Sequence, residues 1–549
     1  MPKNVSHSAV NGGGSVPEHA IPSPVSPDNL KQLLQGYNHI SANYLVTGFA
    51  KGFHLGCLGI PSQYEHSVVN MKSAFDLPHI IDAKLRKEKS LDRILGPFAS
   101  PPTDPLFRVS PLGVVAKKLP GEYRMIHNLS YPAGTSVNDY IPAEFATVQY
   151  ATVHDAISFI TSANSIVFMA KIDIEAAFRI IPVALEDTPL LGFRWRDLYY
   201  VDRVLPMGGA SSCAIFEAFS TALEWIAINK LGATKVVHVL DDFLLLAPSM
   251  DKCDRDLQAF IAMCEQLGVP LAPSKTVRPC TTLQFLGIMI DTVAMEVRLP
   301  EDKLAKGRVL LRSFLGKHKV TLREIQSLIG LLQFFCYVIR FARAFLRRTI
   351  DLTVGVNKPN HHIRLTNQVK LDLEMWLTFL DNFNGRSFFI DDDFLTGDFL
   401  QLYTDASGGK GYGALCGAQW FYGVWPISWL THNITVLELY PIMAAVVMWG
   451  EAWANHSVCF YTDNESLVSV INKQTSKEPA VMILLRHLIL TCLQYNINFS
   501  AQHVPGRDNT LADKLSRCQV DEFLTLAPWV NHQPAAVPSH ISPAAFGTL

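Results

Sequence analysis

Apolar and polar positions alternate along Ser165–Ile174 (SIVFMAKIDI). Ile166, Phe168, Ala170 and Ile172 fall on one face, and Val167, Met169, Lys171 and Asp173 on the other. A period of two predicts a β-strand, with Asp173 leaving from its end. Residues 236–246 (VVHVLDDFLLL) form two apolar runs around an acidic pair, the pattern of a hairpin with Asp241 and Asp242 at or near its turn. Further on the period changes. Leu322, Ile325, Leu328, Ile329 and Leu332 recur at helical spacing. Thr321 with Glu324 three residues later predicts a capping box that starts that helix, the second of two expected over 300–349. Val356–His362 (VNKPNHH) is a polar, Pro-containing break with the character of a linker. From Leu400 a new pattern begins. A strand is expected to end at Asp405, followed by a Gly-rich turn (Gly408, Gly409, Gly411, Gly413), more strands, and then helix, strand and helix.

With 549 residues, 49% of them hydrophobic, the chain has material for several cores, so an α+β multidomain protein is expected. Residues 1–28 and 521–549 are rich in Gly, Pro and Ser or in Pro and Ala, and disordered tails are expected there. The first residues carry no apolar run of the signal-peptide kind. The ten cysteines form no CxxC pair and no zinc-knuckle spacing, which fits reduced thiols of an intracellular protein. Leu328–Ile339, taken as the most apolar stretch, is too short to span a bilayer, so no membrane partner is expected. The net charge of −2 does not single out a nucleic-acid partner, but residues 301–350 hold eleven Lys and Arg against three acids, a local excess of +8. Such a segment tracks a phosphate backbone or forms the solvated face of surface helices.

Seven carboxylates sort into two groups. Asp173, Asp241 and Asp242 make the first; Asp405 (LYTDAS), Glu438 (VLELY), Asp463 (FYTDNES) and Asp513 (ADKLSR) make the second. Hard oxygen ligands at strand ends suit Mg²⁺, and paired ions stabilise phosphoryl transfer by neutralising charge. Taken singly, each acid has an ordinary alternative. Asp405 and Asp463 are placed to terminate strands, Thr435 with Glu438 to form a capping box in the first turn of an apolar helix, and Asp513 to complement a helix dipole.

The ordered segments SPLGVVAKK (Ser110–Lys118), YRMIHNLS (Tyr123–Ser130), KIDIEAAFRIIPV (Lys171–Val183), LPMGGASSCAIFE (Leu205–Glu217), VLDDFLLL (Val239–Leu246) and LQFLGIMID (Leu283–Asp291) resemble the reverse transcriptase motifs of retroelements. They look closest to the DIRS-type group, whose elements carry a tyrosine recombinase. TDAS, ELY, TDNES and HVPGRDNTLADKLSR resemble the retroelement ribonuclease H domain.

The resemblance implies a right-hand polymerase followed by an RNase H-like α/β domain. An N-terminal extension would occupy 29–100, fingers and palm 101–299, thumb-like helices 300–350, a connection 351–395 and the RNase H-like domain 396–520. It implies catalytic and metal roles for Asp173, Asp241 and Asp242, and for Asp405, Glu438, Asp463 and Asp513. His503 would assist the second set. Lys117 and Arg124 would grip the incoming triphosphate, and Phe178 would act as steric gate. Pro206 and Gly208 would pack under nucleotide and template, and Gly287 would lie in a primer grip. Two Mg²⁺ per site are implied, with Mn²⁺ as substitute. The implied partners are an RNA template, a DNA primer, RNA–DNA hybrid and dNTPs. The expected activities are RNA-directed DNA synthesis and cleavage of hybrid RNA. Val239 replaces the usual aromatic residue before the acidic pair, and Met207 the usual Gln. Both departures support an alternative, a domesticated or decayed copy that binds nucleic acid without polymerising.

Overall fold

The computed structural model describes residues 21–59, 68–102, 107–117, 121–382, 386–388, 394–395, 400, 402–505 and 509–547, with backbone alone at 340, 386–388 and 394–395. The chain forms two compact units, Met1–Leu286 and Gly287–Leu549, so the division falls inside the segment expected to be one fingers-and-palm domain. Leu286 and Gly287 both have positive φ, which makes a tight turn of this junction.

In the first unit, a two-stranded ribbon pairs β1 (Leu112–Ala116) with β2 (Tyr123–His127). The central sheet holds β3 (Phe168–Asp173), β4 (Lys235–Val239), β5 (Asp242–Ala247) and β6 (Val277–Cys280) in the order β4-β5-β3-β6, every pair antiparallel. Helices α1 (Ser212–Asn229) and α2 (Met250–Leu267) contribute Phe216, Phe219, Leu223, Leu257 and Phe260 to one core with Ala170, Ile172, Phe243 and Leu245 of the sheet. Because the sheet is covered, the alternation along β3 is not a wet-and-dry pattern: Met169 and Asp173 are as buried as Ala170 and Ile172.

Residues 21–28, expected to be disordered, are packed. Val25 is buried, Ser23 Oγ donates to the Ile180 carbonyl at 2.6 Å, and the Ser26 amide donates to Leu267 O at 2.9 Å. One apolar side chain and two anchored polar groups suffice to hold a Pro-rich segment. Residues 1–20 lie outside the described residues.

In the second unit, α3 (Glu301–Leu315) and α4 (Leu322–Phe335) are the two expected helices, and Thr321 and Glu324 form the expected capping box. A 3₁₀ turn at Arg340–Phe345 and a short helix at Arg347–Asp351 extend them. The basic excess here is partly spent internally. Arg308 and Arg312 pair with Asp381, Lys317 with Glu324, Arg347 with Asp351, and Arg348 with Asp372. Lys306, Lys319, Arg323 and Arg343 have no ion pair among the described residues, so the net count overstates the charge open to a phosphate backbone.

Helix α5 (Asn367–Asn382) carries Asp372 at 1% exposure, with Arg486 Nη2 at 2.7 Å and Arg348 Nη1 at 3.3 Å. Desolvation raises this carboxyl even against two guanidinium groups. Asp372→Ala leaves Arg486 buried without its counter-charge and is expected to destabilise the second unit by about 3–5 kcal/mol. Denaturant unfolding checks this; a loss below about 1 kcal/mol, the range of exposed pairs, would remove the assignment.

The C-terminal part has an antiparallel meander, β7 (Leu402–Ala406), β8 (Gly411–Cys416) and β9 (Gln419–Val424), then α6 (Ile434–Trp449), β10 (Ser457–Thr462), α7 (Glu465–Lys473), α8 (Pro479–Gln494), β11 (Asn498–His503) and α9 (Thr510–Ser516). Strands β10 and β11 are parallel. Gly411 and Gly413, expected in a turn, lie in β8 instead, because α9 crosses there: a Cβ on Gly413 would sit 2.3 Å from Leu515 Cβ. Ile434–Trp453, not Leu328–Ile339, is the stretch long and apolar enough to cross a membrane by length and composition. Leu437, Leu439, Ile442, Met443 and Val446 are all buried, so it packs as a core helix.

The tail after Asp521 is also ordered. Helix Val520–Leu526 packs Phe523 beside Trp420 and Leu515, and Val530 and Ile541 are buried. Trp420 Nε1 donates to Asn531 O at 2.7 Å, Trp429 Nε1 to Pro543 O at 3.0 Å, and Tyr440 OH to Ile541 O at 3.1 Å. Buried indole and phenol donors need acceptors, and backbone carbonyls of the tail supply them.

Candidate active sites

The β4–β5 hairpin turns through Leu240 and Asp241, with Val239 opposite Asp242. Leu240 has φ +52°, a conformation a branched non-glycine residue adopts at a cost of about 1–3 kcal/mol. Strand β3 lies beside β5 with Asp173 opposite Asp242, and the Ile174 amide donates to Asp241 O at 3.1 Å. Residues 68 positions apart are thereby placed at one sheet edge, as the strand-end reading expects.

Burial first, then repulsion from the neighbouring acids, raises the Asp241 carboxyl; burial likewise raises Asp173, against the pull of Lys275. Lys275 Nζ reaches both Asp173 oxygens at 2.8 and 2.9 Å, and Lys171 Nζ lies 3.1 Å from Asp242. Asp241 has no ion pair at contact distance among the described residues. No three Asp, Glu, His or Cys groups there close to metal-ligand distance. Mg²⁺, however, takes only one or two carboxylates plus substrate oxygens, so this donor set suits it. An ammonium, that of Lys275, thus offsets part of the acids' mutual repulsion here. Lys275 carries no signal in its local sequence; Lys171 is legible from the alternation that puts it on the face of Asp173.

A second layer braces the hairpin. Glu217 of α1 accepts the Leu240 amide at 3.0 Å. His238 Nε2 lies 3.2 Å from Glu217 Oε1, its Nδ1 contacts Glu224, and its ring stacks on Phe243 at 5.2 Å. Burial lowers the imidazolium, but the two glutamates outweigh it and push His238 up to about 9. With the folded value above the ordinary one near 6.5, this contribution is fully present below pH 6.5 and is lost as pH rises through 9. Wild type is therefore expected to lose about 3 kcal/mol between pH 6 and 10 that His238→Gln does not lose. Unfolding curves across that range check it; parallel curves would refute it.

The other nucleotide-site candidates sit on several elements of the first unit. Lys117 follows β1, 3.0 Å from Glu122, and Arg124 is exposed on β2 opposite Val115. Phe178 is half-buried, its ring 5.4 Å from Phe216. Pro206 is buried and accepts Ser212 Oγ at 2.8 Å. Gly208 leaves no room for a side chain, since a Cβ would meet His127 O at 2.7 Å. Met207 is 50% exposed, and Val239 closes the hairpin.

In the second unit, Asp405 sits next to last in β7, and Asp463 follows the last residue of β10. Glu438 is the fifth residue of α6, in its second turn rather than its first. The cap is Asn433, which accepts the Val436 amide at 3.1 Å, so Thr435 and Glu438 form no capping box. Freed from that duty, Glu438 accepts Thr462 Oγ1 at 2.9 Å at the end of β10. Burial, with Asp463 and Asp405 adding to it, raises Glu438 to about 7 despite that hydrogen bond. Asp405 is raised by burial and by Asp513 and Asp463, while Ser516 donates a hydrogen bond to it. Asp513 lies within α9, paired with Arg517 Nε at 2.7 Å. The four acids thus share one electrostatic field. His503 ends β11 opposite Thr462, exposed and one residue from the Asp463 register, while 506–508 of the adjoining loop lie outside the described residues. Ser516 and Arg517, one turn past Asp513, are legible from helical spacing once the helix is placed.

The family model for reverse transcriptase (RNA-dependent DNA polymerase) matches residues 115–290, which contain the whole first acid group. The Gag-Pro-Pol polyprotein of Human T-cell leukemia virus 3 is 25% identical over 281 residues, 49% of this chain and 17% of that protein. The putative enzymatic polyprotein of Cassava vein mosaic virus is 20% identical over 360 residues, 64% of this chain and 52% of that protein. The chain thus spans about half or less of the length of these curated relatives. A solved foamy viral protease-reverse transcriptase in complex with RNA/DNA hybrid aligns with 86% of this chain and 62% of its own at 15% identity, TM-score 0.47. The sheet edge that carries Asp173, Asp241 and Asp242 therefore lies within the stretch that is similar to reverse transcriptases, and the polyproteins that share this similarity are viral.

Proposed function

We propose that this chain is an RNA-directed DNA polymerase coupled to a ribonuclease H that cleaves RNA in RNA–DNA hybrids. The observation that carries the reading is the pairing of Asp173 with Asp242 beside the Asp241 turn, inside the matched domain. Asp173 and Asp241 would hold Mg²⁺, or Mn²⁺, with Asp242 in support, and Asp405, Glu438, Asp463 and Asp513 would hold the second pair. When bound, such ions neutralise charge on attacking and leaving oxygens of an in-line displacement. The chain's own groups do the rest. Lys117 and Arg124 bind the triphosphate of a dNTP, Phe178 crowds a ribose 2′-hydroxyl, and Gly208 keeps the floor of the site free of a side chain. The free cations of α3 and α4 contact the backbone of template and primer. His503 moves a proton at the second site.

Primed RNA template, dNTPs and Mg²⁺ test the polymerase half: the full chain is expected to extend the primer. Hybrid binding without extension at any divalent-ion concentration would instead favour the decayed-copy reading, which Val239 and Met207 support. Within retroelements, the motif wording supports the DIRS-type group; a tyrosine recombinase frame beside the gene tests that placement.

A further inference from the structure

We propose that Glu217 is a positioning residue for Asp241, its carboxylate holding the left-handed turn that presents the acid, with His238 and Glu224 bracing that carboxylate from behind. The inference rests on the polymerase reading for its catalytic consequence, but its structural part stands alone.

The argument starts at Leu240. Its φ of +52° is a conformation that glycine takes freely and leucine does not. A strained turn persists only where its surroundings over-determine it. Two bonds flank this one: the Leu240 amide donates to Glu217 Oε2 at 3.0 Å, and Asp241 O accepts from Ile174 at 3.1 Å. The first comes from a side chain on a different element, the buried face of α1. Glu217 is itself attracted from behind, since its other oxygen lies 3.2 Å from His238 Nε2, an ion-pair contact without hydrogen-bond geometry. His238 is 5% exposed and its Nδ1 contacts Glu224, also on α1. Helix α1 therefore grips the hairpin twice, at strand position 238 and at turn position 240. The groups facing His238 are Glu217 and Glu224 from α1 and the uncharged Phe243 ring from β5. Among the described residues, the contacts of the Glu217 carboxylate are the Leu240 amide and the His238 ring, so its placement bears directly on the turn that presents Asp241.

The test uses the full chain as wild type, Glu217→Ala, Glu217→Gln and the double variant Glu217→Ala/Leu240→Gly. Hydrogen–deuterium exchange of the peptide covering Val239–Asp242 reads the turn without any reaction. Primer extension reads kcat, dNTP KM and the Mg²⁺ concentration for half-maximal rate. Glu217→Ala is expected to lose protection at the turn, lower kcat about 10- to 100-fold with KM little changed, and require more Mg²⁺. Glu217→Gln keeps an oxygen acceptor and is expected to stay within about threefold of wild type. Leu240→Gly, which takes positive φ without strain, is expected to recover part of the lost kcat. Unchanged protection in Glu217→Ala overturns the proposal, whether or not the protein polymerises. So does a folded Glu217→Gln variant that has lost turn protection. If Glu217→Ala does not fold, Glu217→Gln decides: protection and kcat retained support the proposal, and either one lost overturns it. A wild type that does not extend primers, with turn protection behaving as expected, counts against the polymerase reading alone.

Discussion

Asp241→Asn is expected to reduce primer extension about 10³-fold or more while leaving the fold intact or slightly more stable. The two halves of this expectation have one physical cause. Asp241 is a partly buried acid whose charge is disfavoured by desolvation and by Asp173 and Asp242. A side chain serving only the fold would not be kept under repulsion at a strained turn; exchanging it for a neutral isostere relieves the repulsion. The same exchange removes a ligand from a charge clamp worth several kcal/mol at the transition state, and each 1.4 kcal/mol is tenfold in rate. Loss of rate without loss of stability separates a catalytic acid from a structural one. Rate that survives in Asp241→Asn would refute the assignment, and a drop in melting midpoint matching the loss of rate would make the acid structural.

How much of this is legible in the sequence follows from the kind of interaction involved. Strand β3, the hairpin and the Thr321 cap were readable because period-two alternation, a two-residue turn and a capping box are local in sequence. The convergence of Asp173 on Asp241 is not local: strand ends allow it, and the order of the motifs pairs the two acids. Glu438 was placed a turn too early because Thr435-x-x-Glu438 imitates a capping box, whereas the Asn433 side chain takes the cap. Lys275, Glu217 and Glu224 could not be found, since their partners lie 102, 23 and 14 residues away and no spacing rule connects them. Composition predicts disorder at 21–28 and 521–547, where the chain is packed. Pro is a poor former of regular structure, but three aromatic donors inside the second unit need acceptors, and the tail's carbonyls meet that need.

Asp463→Asn should abolish cleavage of the RNA strand in a labelled RNA–DNA hybrid, by about 10³-fold, and leave primer extension by the same preparation unchanged. Asp463 is exposed just past the end of β10, so its replacement disturbs no packing. Its charge, however, contributes to raising both Asp405 and Glu438. An exposed acid that makes two half-buried acids harder to ionise does not add to stability by that interaction; it fits a site that a cation completes. The measurement must use the full chain. A fragment ending near 520 would strip acceptors from Trp420, Trp429 and Tyr440, and the last of these belongs to the helix that carries Glu438. Failure of such a fragment would therefore say nothing about the acids. In the full chain the outcomes separate cleanly. Cleavage lost with extension kept assigns hydrolysis to the second acid group. Both activities lost together would mean the two sites are not independent. Cleavage retained in Asp463→Asn would show that these four carboxylates, although gathered in one field, do not form a hydrolytic centre.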